Sequence, residues 1–128
     1  RLKMVVVNPP TNIIHRIGES PYKNDIVIID SIIGDSLLAT CYSAIDIFVL
    51  IADQGESFGM VLAEAMLCQT PVVTLATPWG DNSQGEVVGN QIGGYVASSA
   101  KQMIAPLVKL INGAEIRISM GRAARNKL

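Results

Sequence analysis

Residues that usually announce a chemistry are scarce in this chain. Among its 128 residues there is one histidine, His15, and there are two cysteines, Cys41 and Cys68. A lone histidine builds neither a metal cluster nor a catalytic triad. His15 sits in 11–20, a loop or short helix, and is read as a surface residue. Two cysteines without CxxC spacing are too few for a disulfide framework. Both fall on apolar helical faces and are read as core thiols of a protein in a reducing, cytoplasmic setting. Charge is scarce too: 16% of residues are charged, with Lys+Arg 10 against Asp+Glu 11. A backbone-binding protein needs a positive cluster, so no nucleic-acid partner is expected. With 49% hydrophobic residues, disorder is excluded. No stretch approaches the roughly 18 apolar residues of a membrane span, and the longest apolar segment, 45–52, is interrupted by Asp46. The phosphate-binding pattern G-x-x-x-x-G-K-S/T is absent. The chain opens Arg1-Leu2-Lys3 without Met or a signal-peptide pattern, and is read as a piece of a longer protein.

What is present alternates. Four runs rich in β-branched residues, 4–7, 26–29, 47–51 and 72–75, are apolar but for Thr74, as strands buried on both faces are. Helical patterns lie between them. Ser36 to Ala44 carries Leu37, Leu38, Cys41 and Ala44 on one face, with Ser36 as cap. Gly59 to Gln69 is a second. A third follows Ser98 or Ser99, with Met103, Ile104, Leu107, Val108 and Ile111 in one stripe, a kink or shifted start at Pro106, and Gly113 as its stop. The last, Ala114 to Leu128, is basic, and its charges are read as a solvated face. Strand and helix in alternation predict an α/β fold: a single domain with a Rossmann-like open parallel sheet and helices on both faces. In such sheets ligands bind beyond the carboxyl ends of the strands. That selects four loops, 8–12, 30–35, 53–59 and 76–84.

Of these, 53–59 is the most informative. A strand runs into a loop with Gly55 and Gly59, then into a helix. A helix start presents unpaired N–H groups and the positive end of its dipole, a site for an anion such as a diphosphate. Glu64 stands in that helix among Met60, Val61, Leu67 and Cys68, with no basic residue near it in sequence. A buried carboxylate is costly unless hydrogen-bonded or paired. One fitting partner is a ribose diol, which offers two O–H donors; the other is a distant arginine. Glu56, eight positions earlier, lies just outside the helix start, where it serves either a sugar hydroxyl or the helix dipole.

The segments Asp46-Ile47-Phe48-Val49-Leu50, Glu56-Ser57-Phe58-Gly59-Met60-Val61-Leu62-Ala63-Glu64-Ala65-Met66 and Thr70-Pro71-Val72-Val73 together resemble the nucleotide-sugar domain of the group 1 (family 4) glycosyltransferases. Gly93 to Ala97, Met120 to Arg125, and Leu37 to Asp46 with Tyr42 are similar to further motifs of that family. The resemblance runs from about Met4 to the end. It implies a GT-B fold, two Rossmann-like domains facing one cleft, with this chain as most of the donor-binding domain. It implies retaining transfer of a hexose from a UDP-, GDP- or ADP-sugar to a sugar, lipid or small-molecule acceptor, with no metal and no other cofactor. Glu56 would be the catalytic-site carboxylate on the donor sugar. Ser57, Phe58, Gly59, Met60, Val61 and Leu62 would face the sugar and diphosphate, and Glu64 the ribose. The backbone around Ile32 would meet the base. The acceptor domain, and the basic residues that clamp the diphosphate, would precede Arg1. Cytoplasmic location follows, with the inner face of a membrane as a second option. Trp79, in the 76–84 loop, either walls the sugar pocket or packs under its loop, and Glu86 starts the next helix.

Departures from the family pattern are Ile51 to Gln54 in place of Pro-Ser, Asp30 where glycine often ends the second strand, and Gln69 where glycine often precedes Thr70-Pro71. Two readings compete with a transferase. One is a non-catalytic nucleotide-sugar scaffold. The other is a GT-B epimerase or phosphorylase. The first of these enzymes needs a histidine at the sugar, where His15 is poorly placed; the second needs a cofactor lysine, and the site loops hold none.

Overall fold

The computed structural model describes residues 1–52, 55, 56 and 59–128, with backbone alone at 55 and 56. Contacts divide the chain into two compact units, Arg1–Leu38 and Ala39–Leu128.

In the first unit, strand β1 (Met4–Val7) pairs in parallel with β2 (Ile26–Ile29), Met4 opposite Ile26 and Val7 opposite Ile29. Helix α1 (Thr11–Glu19) and a 3₁₀ turn, Lys23–Asp25, connect them. His15 lies on α1 and is exposed. Pro10 caps α1 at its N-terminus, its carbonyl accepting from the N–H groups of Ile13 and Ile14. The expected burial on both faces fails here: Met4 is 59% and Val27 46% exposed. Within this unit, one nine-residue helix is too small to cover both faces of a sheet.

Helix α2 (Asp35–Ala44) spans the division between the units. Ser36 is its second residue rather than its cap; the chain enters through Gly34 at φ 92°. The expected apolar stripe is also displaced, with Leu37 51% exposed and Tyr42 the buried residue.

In the second unit β3 (Phe48–Leu50), β5 (Val72–Leu75) and β7 (Gly94–Ala97) form a parallel sheet in the order β3-β5-β7. The central strand β5 is buried at every position, as expected of its run, with the polar Thr74 buried among the apolar residues. The strand expected over 47–51 shortens to β3, and Val49 and Ile51 are exposed, consistent with its place at the sheet edge. A second parallel pair joins two loops: β4 (Gly55–Glu56) lies against β6 (Asp81–Asn82), Gly55 opposite Asp81 and Glu56 opposite Asn82.

Three helices accompany the sheet: α3 (Met60–Leu67), α4 (Ile104–Asn112) and α5 (Ala114–Lys127). A 3₁₀ turn, Lys101–Met103, precedes α4, which places Pro106 in its first turn, where a missing N–H costs nothing. Ser99 Oγ accepts from Gln102 N–H while Gln102 Oε1 accepts from Ser98 N–H, so the serine pair does start this segment. The buried stripe is rotated from expectation. It runs Met103, Leu107, Leu110, and Ile104, Val108 and Ile111 are exposed. Met103 and Leu110 join Val73, Leu75 and Ala97 in the core.

Nor is α5 simply a solvated basic face. Arg117 donates to the carbonyls of Leu110 (2.7 Å) and Ile111 (3.0 Å), capping α4, and pairs with Asp46 at 3.3 Å. Lys127 Nζ donates to the Glu86 carbonyl at 2.6 Å. Glu86 lies in a π-helical turn, Gly85–Gly89, near its start as expected.

Gly94 and Gly121 leave no room for a side chain. A Cβ on Gly94 would stand 1.9 Å from the Val72 carbonyl oxygen, and one on Gly121 1.9 Å from that of Gln69. Either contact is with backbone, so relief requires strands or helices to move. Gly94→Ala is therefore expected to cost about 1–3 kcal/mol or more. Gly18→Ala, in α1 with open space around it, is expected to gain about 0.5–1 kcal/mol. Urea unfolding of the two variants checks both signs.

Candidate functional site

The helix mouth expected between 53 and 60 is present. Gly59 sits at φ 67°, a left-handed conformation, as the residue before α3. Glycine takes it without penalty. Space restricts the position as well, since a Cβ would meet Val87 Cγ2 at 3.2 Å. The first intrahelical hydrogen bond of α3 runs from Ala63 N–H to the Gly59 carbonyl. The N–H groups of Met60, Val61 and Leu62 precede that bond and have no acceptor within the helix itself, which is the chemistry of an anion site. Leu62 is fully buried and anchors the turn from below, Val61 is half-buried and Met60 is 58% exposed. Ser57 and Phe58 lie outside the described residues, as does the Glu56 side chain. The Glu56 backbone is held beside Asn82 by the β4–β6 pair. Ile32 belongs to the first unit, half-buried after β2.

Glu64 lies in the second turn of α3 and is half-buried. The helix is less enclosed than its composition suggests: Leu62, Ala65 and Met66 are fully buried, but Met60 and Leu67 are more than half exposed. Of the two partners expected for Glu64, the distant arginine is not found; no ion pair to it occurs among the described residues. Its hydrogen-bond donor is a residue sequence reasoning had given no role. Tyr42 Oη donates to Glu64 Oε2 at 3.1 Å.

Tyr42 is held on three sides. Its ring meets Phe48 edge-on, centroids 5.4 Å apart at 76°. Its carbonyl accepts from Thr70 Oγ1 at 2.7 Å. Its hydroxyl engages Glu64. The signal was available in the sequence, since a buried tyrosine usually needs a hydrogen-bond partner for its hydroxyl. Burial, then the hydrogen bond to the Glu64 carboxylate and its charge, push the Tyr42 phenol well above its ordinary value near 10. Cys41 and Cys68 are half-buried free thiols rather than core residues.

The 76–84 loop is built on buried polar side chains. Gln84, fully buried, donates through Nε2 to the Leu75 carbonyl and to Thr77 Oγ1, both at 3.1 Å. Thr77 Oγ1 donates to the Asp81 carbonyl (2.6 Å), and Thr77 N–H to Asn82 Oδ1 (2.9 Å). Trp79, at 66% exposure, does not pack beneath this loop.

A raised phenol pKa has a defined consequence for stability. The fold favours the neutral hydroxyl, so its contribution is complete below pH ~10, where an unfolded tyrosine ionises, and is lost as pH rises beyond. Glu64→Gln removes the neighbouring charge and is expected to lower the Tyr42 midpoint, which stays above ~10 because burial persists. Carbon-13 NMR titration of the tyrosine Cζ resonances measures it.

Comparison with known proteins places these features. The model of the family "Glycosyl transferases group 1" matches residues 10–127. D-inositol 3-phosphate glycosyltransferase 2 of Catenulispora acidiphila is 36% identical over 103 residues, 76% of this chain and 24% of that protein. The chain thus spans about a quarter of that relative's length. Among solved structures, sucrose-phosphate synthase of Thermosynechococcus elongatus superposes with TM-score 0.84 at 20% identity, over 98% of this chain and 33% of the other. HepE of Anabaena, in complex with UDP and glucose, superposes with TM-score 0.82 at 16% identity, over 97% and 34%. The C-terminal domain of a group 1 glycosyl transferase (LpcC) of Francisella tularensis gives TM-score 0.74 at 21%, over 91% and 58%. No helix among the described residues is long and apolar enough to cross a membrane. The parallel α/β architecture is the one shared with these GT-B proteins, and the chain belongs to the group 1 glycosyl transferases.

Proposed function

We propose that this chain is the donor-binding part of a retaining glycosyltransferase, which takes a hexose from a UDP-, GDP- or ADP-sugar and passes it to a sugar, lipid or small-molecule acceptor. Glu64 carries this reading. A carboxylate is kept half-buried just below a glycine-started helix mouth, and its donor is a neutral tyrosine hydroxyl rather than a cation. An ionised carboxyl has about four lone-pair sites. One tyrosine leaves capacity for the two hydroxyls of a ribose. The diphosphate would sit against the N–H groups of Met60, Val61 and Leu62, with Gly59, Ser57 and Phe58 shaping the approach. As the glycosidic bond breaks, negative charge grows on that diphosphate. Fixed N–H dipoles stabilise it without needing to reorganise.

Glu56 would accept hydrogen bonds from donor-sugar hydroxyls, its main chain aligned by the β4–β6 pair. No metal is assigned a role, because the helix mouth supplies the charge stabilisation. The acceptor would be held by another domain of the same polypeptide, acting in the cytoplasm. The 128 residues by themselves are expected to bind donor without transferring it. The likeness to HepE, itself solved with UDP-glucose, supports a nucleotide-sugar donor.

Saturation-transfer NMR with UDP-, GDP- and ADP-glucose tests this. At least one should show saturation of its ribose protons, unchanged by EDTA. Glu64→Ala is expected to weaken that ligand about ten- to a hundredfold, the worth of hydrogen bonds to a charged group. Binding unaffected by Glu64→Ala would remove the ribose assignment. Transfer-free binding in the full-length protein would favour a scaffold.

A further inference from the structure

We propose that Tyr42 is a positioning residue for the donor's ribose, acting through Glu64: its hydroxyl, 3.1 Å from Glu64 Oε2, fixes the carboxylate so that its remaining lone pairs meet the ribose diol. The proposal rests on the assignment of Glu64 to ribose made above. It goes further in giving α2 a part in nucleoside recognition.

The argument begins with freedom. A glutamate has several rotatable bonds, and a half-exposed one samples several rotamers unless something holds it. Glu64 has apolar neighbours along its own helix, at Met60, Val61, Leu67 and Cys68, and none of them anchors a carboxylate. Tyr42 does so from a different element, and it is itself immobile. The residue is 8% exposed, Phe48 meets its ring edge-on, and Thr70 Oγ1 donates to its carbonyl at 2.7 Å. A donor with so little freedom transmits its position to the group it bonds. A diol recognised by one carboxylate needs both hydroxyls aligned at once, so a fixed acceptor spares the ordering that would otherwise accompany binding.

The chemistry of the pair suits this role better than that of stability alone. Tyrosine is neutral and donates one hydrogen bond, so it orients the carboxylate and leaves both its charge and most of its acceptor capacity in place. The upward-shifted phenol remains protonated, hence a donor, throughout the neutral pH range. A guanidinium would instead engage both oxygens in a fork and leave little for a ligand.

The test compares UDP, GDP and ADP with their 2′,3′-dideoxy counterparts, by NMR titration of the chain and its variants. For the nucleotide that binds best, Tyr42→Phe is expected to weaken the ribonucleotide roughly five- to tenfold, the worth of one such hydrogen bond. The dideoxy form, which has no diol to align, should be unchanged. In a Glu64→Ala background Tyr42→Phe should have no further effect, because the tyrosine acts through that carboxylate. A merely structural tyrosine would weaken both nucleotide forms equally, and its effect would persist without Glu64; either result overturns the proposal. If Tyr42→Phe fails to fold, Thr70→Ser, which keeps the hydroxyl, and Thr70→Val, which removes the brace on Tyr42, supply the same comparison: only the valine should lower the ribonucleotide preference. If Glu64→Ala loses discrimination between ribo and dideoxy forms while Tyr42→Phe does not, the positioning role alone falls. If no nucleotide binds the parent chain, the ribose assignment falls with it.

Discussion

A carboxylate in an apolar helix sets the terms for this fold. Removing such a group from water is expensive unless donors replace the lost hydration. Here the replacement is a hydroxyl from α2, and its delivery fixes much of the second unit. Tyr42 must be buried to reach Glu64, which aligns the end of α2 with α3. Thr70 must stand close enough to hold the Tyr42 carbonyl, which sets the turn between α3 and β5. That turn passes through Gln69 at φ 61°, a conformation glycine adopts more readily. Gly121 then lets α5 lie against the Gln69 carbonyl. The contacts Glu64–Tyr42, Tyr42–Thr70 and Gln69–Gly121 thus link α3, α2, the turn before β5 and α5.

The position of Glu64 along its helix matters as much as its partner. Four residues separate it from Met60 at the helix start, a rise of about 6 Å. A carboxylate in the first turn would face a bound diphosphate directly. Even at ~6 Å and an effective dielectric near 20, two unit charges repel by roughly 3 kcal/mol. The role proposed for Glu64 is therefore one of accepting hydrogen bonds, beside an anion that the helix mouth would hold rather than as its counter-charge. A neutral tyrosine fits that division, because it satisfies the carboxylate without competing with the mouth for negative charge.

Much of this was legible in the residues, and what was missed has a common cause. The run Val72–Leu75, apolar but for Thr74, marked a strand buried on both faces, and it is one. Gly59 before Met60 marked the helix start, and the family pattern fitted the chain over most of its length. Periodicity failed where apolar residues outnumber the positions a core can hold. In the segment from Met103 to Ile111 five candidates were named for one stripe, and packing against β5 and β7 kept Met103 and Leu107 and added Leu110. In α2 the leucines looked like the core face, yet Tyr42 took the buried place. The need of Glu64 for a partner was legible, but not which distant residue supplies it. Tyr42 and Glu64 are separated by 22 positions, Lys127 and the Glu86 carbonyl by 41, and no local pattern encodes either.

The 76–84 loop shows why a long polar loop can still be a precise one. Its sequence is rich in turn-forming residues. Its backbone is nonetheless tied at both ends, by Gln84 to the Leu75 carbonyl and by Thr77 to Asp81 and Asn82. Those last two residues form β6, and β6 is what the Glu56 backbone pairs with. The buried amide of Gln84 therefore acts at a distance on the strand that carries Glu56, through two layers of hydrogen bonds. Catalysis by positioning gains from such ties, because ordering accomplished during folding need not be repeated when substrate arrives. A loop whose buried polar groups bond to its own or the adjoining backbone, as Gln84 Nε2 and Thr77 Oγ1 do, has fewer conformations open to it. The same logic joins both carboxylates: Glu64 is steadied by a buried hydroxyl, and the main chain of Glu56 by a strand that a buried amide braces.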